Sequence, residues 1–327
     1  MAITTYLEAI NQALHEEMER DPNVFVMGQD IGIYGGVFKV TKGLLEKFGD
    51  LRVIDTPISE SMIAGAAAGA ATQGMRPVPE IQFSDFIHPA FDQIHNQIST
   101  LYWRSAGHWR CPVTIRCPWG GEVGGGPFHS QSVESFFVHT PGLVVVAPST
   151  ARDAKGLLKS AIRSDDPVIY FEHKKLYRSV REDLPENEEI LTPLGKARVA
   201  RQGRHVTVIS YGLMFQKAMR AAEDAAQHGI EAEVIDMRTL LPIDRETIFA
   251  SVRKTGKCMI VQEAPRTLGF GDAVAAILAE ELFWELDAPV RRITGYDTPY
   301  PFAPTMESFY SPSVDTITAV IQDLAEM

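Results

Sequence analysis

Residues 52–86 read RVIDTPISESMIAGAAAGAATQGMRPVPEIQFSDF. The apolar run ending in RVIDT has the composition of a short strand. The segment opening at PISES has that of a helix, and a second apolar run over Val78–Phe83 again reads as a strand. Strand, helix and strand in so short a span form the repeating unit of an α/β domain with a mainly parallel sheet, because parallel neighbours need a crossover between them.

The alternation extends in both directions. Spacing at Leu7, Ile10, Leu14 and Met18 predicts an opening amphipathic helix. Val24–Met27 predicts a strand that runs into the glycine-rich turn GQDIGIYGGVF, and a helix is expected near Thr41–Phe48. Further strands are expected near Val113–Arg116, Leu143–Ala147 and Val168–Phe171. REDLPENEEILTP (Arg181–Pro193) breaks the pattern: it is acidic, proline-bearing and poor in apolar periodicity, so it reads as a linker. Beyond it the spacing predicts strands at Val206–Ser210, Ala232–Asp236, Cys258–Gln262 and Val290–Ile293. Helices are predicted at Gln216–His228, Asp244–Lys254 and Asp272–Leu286. The expected layout is an α/β domain over 1–185, an acidic linker region over 186–202 and a second α/β domain over 203–327.

Of the 327 residues, 45% are hydrophobic and 22% charged, which is enough to bury a core in each of two domains. Asp and Glu outnumber Lys and Arg by 42 to 31, a net charge of −11 that repels phosphate backbones, so nucleic acid is not an expected partner. No apolar run approaches the ~20 residues that cross a bilayer, so a membrane is not expected either. The opening residues carry acids and no cleavable apolar segment. The three cysteines, Cys111, Cys117 and Cys258, include no CxxC pair, and a cytoplasmic location is the expectation.

The glycine cluster GGEVGGG (Gly120–Gly126) lacks the spacing of a dinucleotide fingerprint and the Lys-Ser/Thr of a phosphate loop, and it runs instead into Pro127-Phe128-His129. It reads as a loop that brings backbone close to something planar or crowded. His129 at its end is either a solvated or structural histidine, or a functional group carried on a loop. His88 and His95 read as packing or interface residues, since no other metal-ligand types gather around them. Glu60 falls in the first turn of a helix, with Ser59 as the expected N-cap. An acid there complements the helix dipole. The small-residue run after it also predicts a buried helix, where a carboxyl against a dry surface would have its pKa raised and could donate a proton near neutrality. Phe83, Phe86 and Phe91 around Asp85 are core packing or a stacking face for a flat ring.

Taken together, GQDIGIYGGVF, RVIDTPISE, RPVPEIQFSDF, TIRCPWGG, HSQSVESFFVHTPGL, AEVIDMRTLLPID, KTGKCMIVQEA and GYDTPYP occur in order along nearly the whole chain. They resemble the β subunit of the thiamine-diphosphate-dependent decarboxylating component of 2-oxo acid dehydrogenase complexes. The resemblance implies a pyrimidine-binding, transketolase-like domain followed by a transketolase C-terminal domain. It implies that Glu60 hydrogen-bonds the cofactor's aminopyrimidine, that Phe86 lies against that ring, and that His129 assists decarboxylation by proton transfer or by holding the substrate carboxylate. It further implies a potassium site at Val113, Thr114, Ala161, Ser164 and Asp166; relatives usually have Asp where this chain has Ser164, and backbone-carbonyl ligands survive that change.

Thiamine enzymes hold Mg²⁺ and the diphosphate with a GDG motif followed downstream by NN. Here Gly49-Asp50 and Gly271-Asp272 continue into neither. The resemblance therefore implies that Mg²⁺ is held by an α subunit, in an α2β2 heterotetramer with the site at the α–β interface. It also implies docking onto a lipoyl acyltransferase core through the C-terminal domain, with Asp287, Asp323, Glu326 and the terminal carboxylate as candidate contacts. The segments lean towards a branched-chain 2-oxo acid. Pyruvate or acetoin is the alternative substrate, and a non-catalytic scaffolding subunit the alternative role.

Overall fold

The computed structural model describes residues 2–185 and 188–327. The chain forms two compact units. One holds the residues up to Trp119 together with Phe136–Leu194; the other holds Gly120–Ser135 and everything from Gly195 onward. Of the expected linker, Glu186 and Asn187 lie outside the described residues, while Arg198–Arg201 form a strand of the second unit.

The first unit opens with a helix over Tyr6–Arg20. Thr5 and Glu8 make a capping box: the Glu8 N–H donates to the Thr5 hydroxyl at 3.1 Å, and the Glu8 carboxylate accepts the Thr5 N–H at 2.8 Å. The buried stripe is Tyr6, Ala9, Ile10, Ala13, Leu14, Glu17 and Met18. Leu7 stays half-exposed, so the inward face is turned slightly from the predicted one.

The unit's parallel strands lie in the order Val144–Val146, Val168–His173, Thr114–Trp119, Arg76–Glu80, Val24–Gly28, Val53–Asp55. The chain runs from the Val24 strand outward to Val53 and then returns to the other side at Arg76. This reversal makes a topological switch point between the Val24 and Arg76 strands, and the crevice at the carboxyl ends of such strands is where open α/β sheets bind ligands.

The central strands are buried throughout, yet they carry ions. Arg116 donates to Glu80 at 2.7 Å and forks onto Glu172 at 2.6 and 2.8 Å, and the Tyr177 hydroxyl donates to Glu172 at 2.7 Å. Burial alone would favour a neutral Arg116; the Glu172 and Glu80 charges outweigh it and hold the guanidinium pKa above its ordinary value.

In the second unit the strands run Arg291–Gly295, Cys258–Pro265, Val206–Ser210, Ala232–Asp236, Arg198–Arg201. The last is antiparallel to its neighbour and the others are parallel. The helix Arg245–Thr255 shows how local sequence sets its ends: Asp244 caps it by accepting the Thr247 N–H, and Gly256, at φ +66, returns its N–H to Val252. Among the described residues no helix is long and apolar enough to cross a membrane.

Candidate active site

Glu60 is the first residue of the helix Glu60–Thr72, just past the carboxyl end of Val53–Asp55. Ser59 occupies the N-cap position, but its side chain makes no capping bond. The helix buries Ile63, Ala64, Ala67 and Ala71, while Ser61, Met62, Ala66 and Gly69 face outward exposed. The small-residue helix is thus covered on one face only, and Glu60 is half-buried rather than enclosed. No hydrogen bond or ion pair engages its carboxylate among the described residues.

Phe86 closes a short turn, Ser84–Phe86, that follows the carboxyl end of Arg76–Glu80 and is half-buried. The structure brings it to the same edge as Glu60. The Ser61 hydroxyl donates to the Pro89 carbonyl, tying the Glu60 helix to the turns after Phe86. A Cβ on Gly65 would sit 3.3 Å from the Gln93 amide oxygen, so the helix packs close against that same segment. The other two phenylalanines have packing roles: Phe83 meets Phe38 edge-on at 5.6 Å, and Phe91 stacks on His95 at 5.1 Å. His95 also pairs with the Thr140 hydroxyl at 3.0 Å, and His88 meets Phe136 edge-on at 5.2 Å.

Two residues at this edge had no signal of their own in the sequence. The Asp55 carboxylate accepts the Gly32 N–H at 2.7 Å and the Ile33 N–H at 3.3 Å, which fixes the glycine-rich turn after Val24–Gly28. Thr56 Oγ1 is buried and has no partner among the described residues. Around them Ile33, Ile58 and Met62 expose apolar side chains, 91%, 71% and 39% respectively. An unengaged carboxylate, an orphaned hydroxyl and a half-buried ring on one sheet edge fit the flat, polar-edged end of a cofactor.

His129 belongs to the second unit and follows the short turn Gly126–Phe128. The glycine-rich loop before it does meet planar groups: a Cβ on Gly121 would strike the Tyr300 ring, and one on Gly126 the Phe302 ring. Its N–H groups do not form a phosphate cradle. Those of Gly121, Glu122, Val123 and Gly124 donate to Glu263, to the Tyr300 hydroxyl, and twice to Glu307. Burial, with Glu263 beside it, pushes the Tyr300 phenol well above its ordinary pKa, so it meets Glu122 as a neutral hydroxyl.

The remaining glycine–aspartate pairs are local structure. Gly49, at φ +78, ends the helix Leu44–Phe48 and donates to Leu45. The Gly271 N–H donates to the Gln262 side chain at 2.6 Å, and Asp272 pairs with Arg292. No group of three or more His, Cys, Asp or Glu side chains converges as a metal site among the described residues.

The expected potassium ligands gather at one corner of the first unit. The Val113 carbonyl accepts the Val168 N–H at 2.9 Å, and the Ala161 carbonyl accepts the Ser164 N–H at 3.1 Å. The Ser164 hydroxyl accepts the Asp166 N–H at 3.1 Å. Thr114, beside Val113, is buried. Arg76 donates to the Ser164 carbonyl at 2.8 Å, and Arg110 lies 3.4 Å from Asp166.

Residues 3–180 match the transketolase pyrimidine-binding domain, and residues 195–317 match the transketolase C-terminal domain. The chain is 49% identical over 327 residues to the 2-oxoisovalerate dehydrogenase subunit beta of Bacillus subtilis (strain 168), covering 100% of both chains. It is 50% identical over 302 residues to the pyruvate dehydrogenase E1 component subunit beta of Staphylococcus epidermidis, covering 92% of this chain and 93% of that one. To the same subunit of Staphylococcus aureus it is 47% identical over 326 residues, covering 100% of both. A solved structure described as a split-gene transketolase, an inactive β4 tetramer, matches with a TM-score of 0.80 and 26% identity over 99% of each chain. Fold, domain order and full-length identity agree: the chain belongs to the family of 2-oxo acid dehydrogenase β subunits, a transketolase pyrimidine-binding domain followed by a transketolase C-terminal domain.

Proposed function

We propose that this chain is the catalytic β half of a cytoplasmic 2-oxo acid dehydrogenase. It decarboxylates a branched-chain 2-oxo acid with thiamine diphosphate and passes the acyl group, reductively, to the lipoyl group of an acyltransferase core. The observation that carries this reading is the unengaged Glu60 carboxylate and the orphaned Thr56 hydroxyl on the same carboxyl-end edge of the sheet as Phe86. Thiamine diphosphate, when bound, supplies the electron sink that loss of CO₂ from a 2-oxo acid requires. Glu60 offers an acceptor to the polar edge of the aminopyrimidine and can hold a proton there. Phe86 gives that ring an apolar face. His129 holds the substrate carboxylate or moves a proton beside it.

The diphosphate end calls for a cation and free N–H donors. The Gly121–Gly124 donors of this chain are already engaged by its own carboxylates and Tyr300. We therefore assign Mg²⁺ and the diphosphate to an α subunit, and the assembly to α2β2, with Ile33, Ile58 and Met62 among the surfaces it covers. Potassium is proposed on the backbone carbonyls of Val113, Thr114, Ala161 and Ser164 with Asp166; the Ser164 hydroxyl already accepts the Asp166 N–H. For the acyltransferase core, Asp287 and Glu326 are exposed, and Asp323 is shared with Arg291 at 3.1 Å.

The test is to reconstitute the chain with a GDG-and-NN-bearing partner and to compare rates on 2-oxoisovalerate and pyruvate. The expected result is cofactor-dependent decarboxylation only in the assembly, faster on 2-oxoisovalerate. Full activity of this chain alone, or of an assembly carrying Glu60→Gln, would sink the reading. Pyruvate is the second reading, favoured by the two staphylococcal relatives; a reversed rate ratio would select it.

A further inference from the structure

The loop that carries His129 is gripped by residues more than a hundred positions further along the chain. Val123 and Gly124 both donate their N–H to the same Glu307 oxygen, at 3.1 and 3.2 Å, and Glu122 donates to Tyr300 at 3.0 Å. Gly121 donates to Glu263. Glu263 and Glu307 are 1% and 8% exposed, so these carboxylates lie inside the unit rather than on its surface. Glu122 has a side chain yet sits at φ +59, a conformation held by Lys217 and by the Ser311 hydroxyl, which donates at 2.6 Å.

One oxygen accepting two successive N–H groups fixes the orientation of both peptide planes. A charged acceptor in a buried place makes those bonds stronger than neutral ones. The fixed peptides pass their geometry on over a short distance. A Cβ on Gly125 would lie 2.7 Å from that of His129, and the ring of Phe302 closes the space at Gly126. From Gly124 to His129 the turn therefore has little room to shift independently of its anchor.

We propose that Glu307 is a positioning residue for His129: it holds the Val123–Gly124 peptides so that the imidazole is presented in one place. The inference rests on the reading that His129 serves the reaction. Glu307 acts through the loop and has no chemical step of its own.

The experiment uses the reconstituted assembly. Glu307→Ala is expected to lower kcat about 10²-fold with little change in the KM for the 2-oxo acid, as misplacement of a reacting group does. Glu307→Gln keeps an acceptor oxygen and is expected to restore most of that loss. Amide hydrogen exchange over residues 121–124 should speed up in the alanine variant and not in the glutamine variant. In a His129→Gln background, Glu307→Ala should add nothing further. If the alanine variant does not assemble, Glu307→Asp, which keeps the charge but draws the acceptor back by one methylene, carries the same expectation.

Unchanged kcat in Glu307→Ala alongside an impaired His129→Gln overturns the proposal alone. So do two losses that multiply in the double variant. An unimpaired His129→Gln overturns the reading of His129 itself, and the positioning role falls with it.

Discussion

Asp55 and Gly32 are joined by a 2.7 Å hydrogen bond from the Gly32 N–H to the Asp55 carboxylate, so the residue that ends one strand holds the turn that leaves another. A Cβ on Gly32 would lie 2.6 Å from the nearer carboxylate oxygen. Asp55→Ala is expected to lower stability by about 1 kcal/mol, below the usual worth of a charge-assisted bond because Asp55 is exposed. It should also weaken cofactor retention by the assembly, with Asp55→Asn intermediate. Urea midpoints and a thiamine diphosphate titration read the two effects, and equal retention by all three proteins would count against the link between turn and cofactor.

Glu60→Gln should separate function from folding. The side chain is half-buried and unengaged, so the change is expected to move stability by no more than about 0.5 kcal/mol. On the proposed role of Glu60 at the cofactor, loss of the proton-holding carboxylate should lower kcat by about 10²–10⁴-fold. Thermal midpoints of the free chain and turnover of the assembly give the comparison.

Arg116 answers two buried carboxylates, Glu80 and Glu172. Arg116→Met removes the charge both contact and is expected to destabilise by about 3–5 kcal/mol, whereas replacing all three together by apolar residues should recover much of that loss. Denaturant melts of the single and triple variants decide it.

The Glu8 carboxylate has a pKa below its ordinary value of 4.5, chiefly because it accepts the Thr5 backbone N–H and then the Thr5 hydroxyl. A depressed folded-state pKa adds stability above the unfolded value and loses it as pH falls through the folded one. Glu8→Gln should therefore be the weaker protein at pH 7, by about 0.5 kcal/mol for so exposed a cap. The gap should close below pH 4.5, a trend that melts at pH 7, 5 and 3 would reveal.

Gly126 combines a φ of +60° with a ring face where its Cβ would go. Gly126→Ala is expected to cost at least about 1–2 kcal/mol from the left-handed backbone alone. Adding Phe302→Ala should recover the part due to the ring, and a melt of the double variant measures how large that part is.

The strands Val206–Ser210 and Ala232–Asp236 were legible to the residue, because each is a short β-branched or apolar-rich stretch, VTVIS and AEVID, between helical segments, and each is buried throughout. Arg198–Arg201 was not: RVAR is half-buried at an edge, and half its residues are arginine. The Glu60 position could be read from its turn after a strand, but Asp55 and Thr56 could not, since what marks them is a partner gained or lacked in space. The Arg116 cluster joins strands far apart in the sequence, where nothing local distinguishes a buried ion from a surface one. The Glu307 grip escaped for the same reason, while the bare need for a crowded neighbour was visible in the glycines.

The excursion of residues Gly120–Ser135 into the second unit has a consequence for how the gene could be divided. A break in the acidic stretch near position 190 looks like the natural place to sever the polypeptide. The amino-terminal product would nevertheless carry away sixteen residues whose anchors, Glu263, Tyr300 and Glu307, stayed with the other fragment. Neither piece would be self-contained, and complementation in trans, rather than independent folding, is what such a fission would have to rely on.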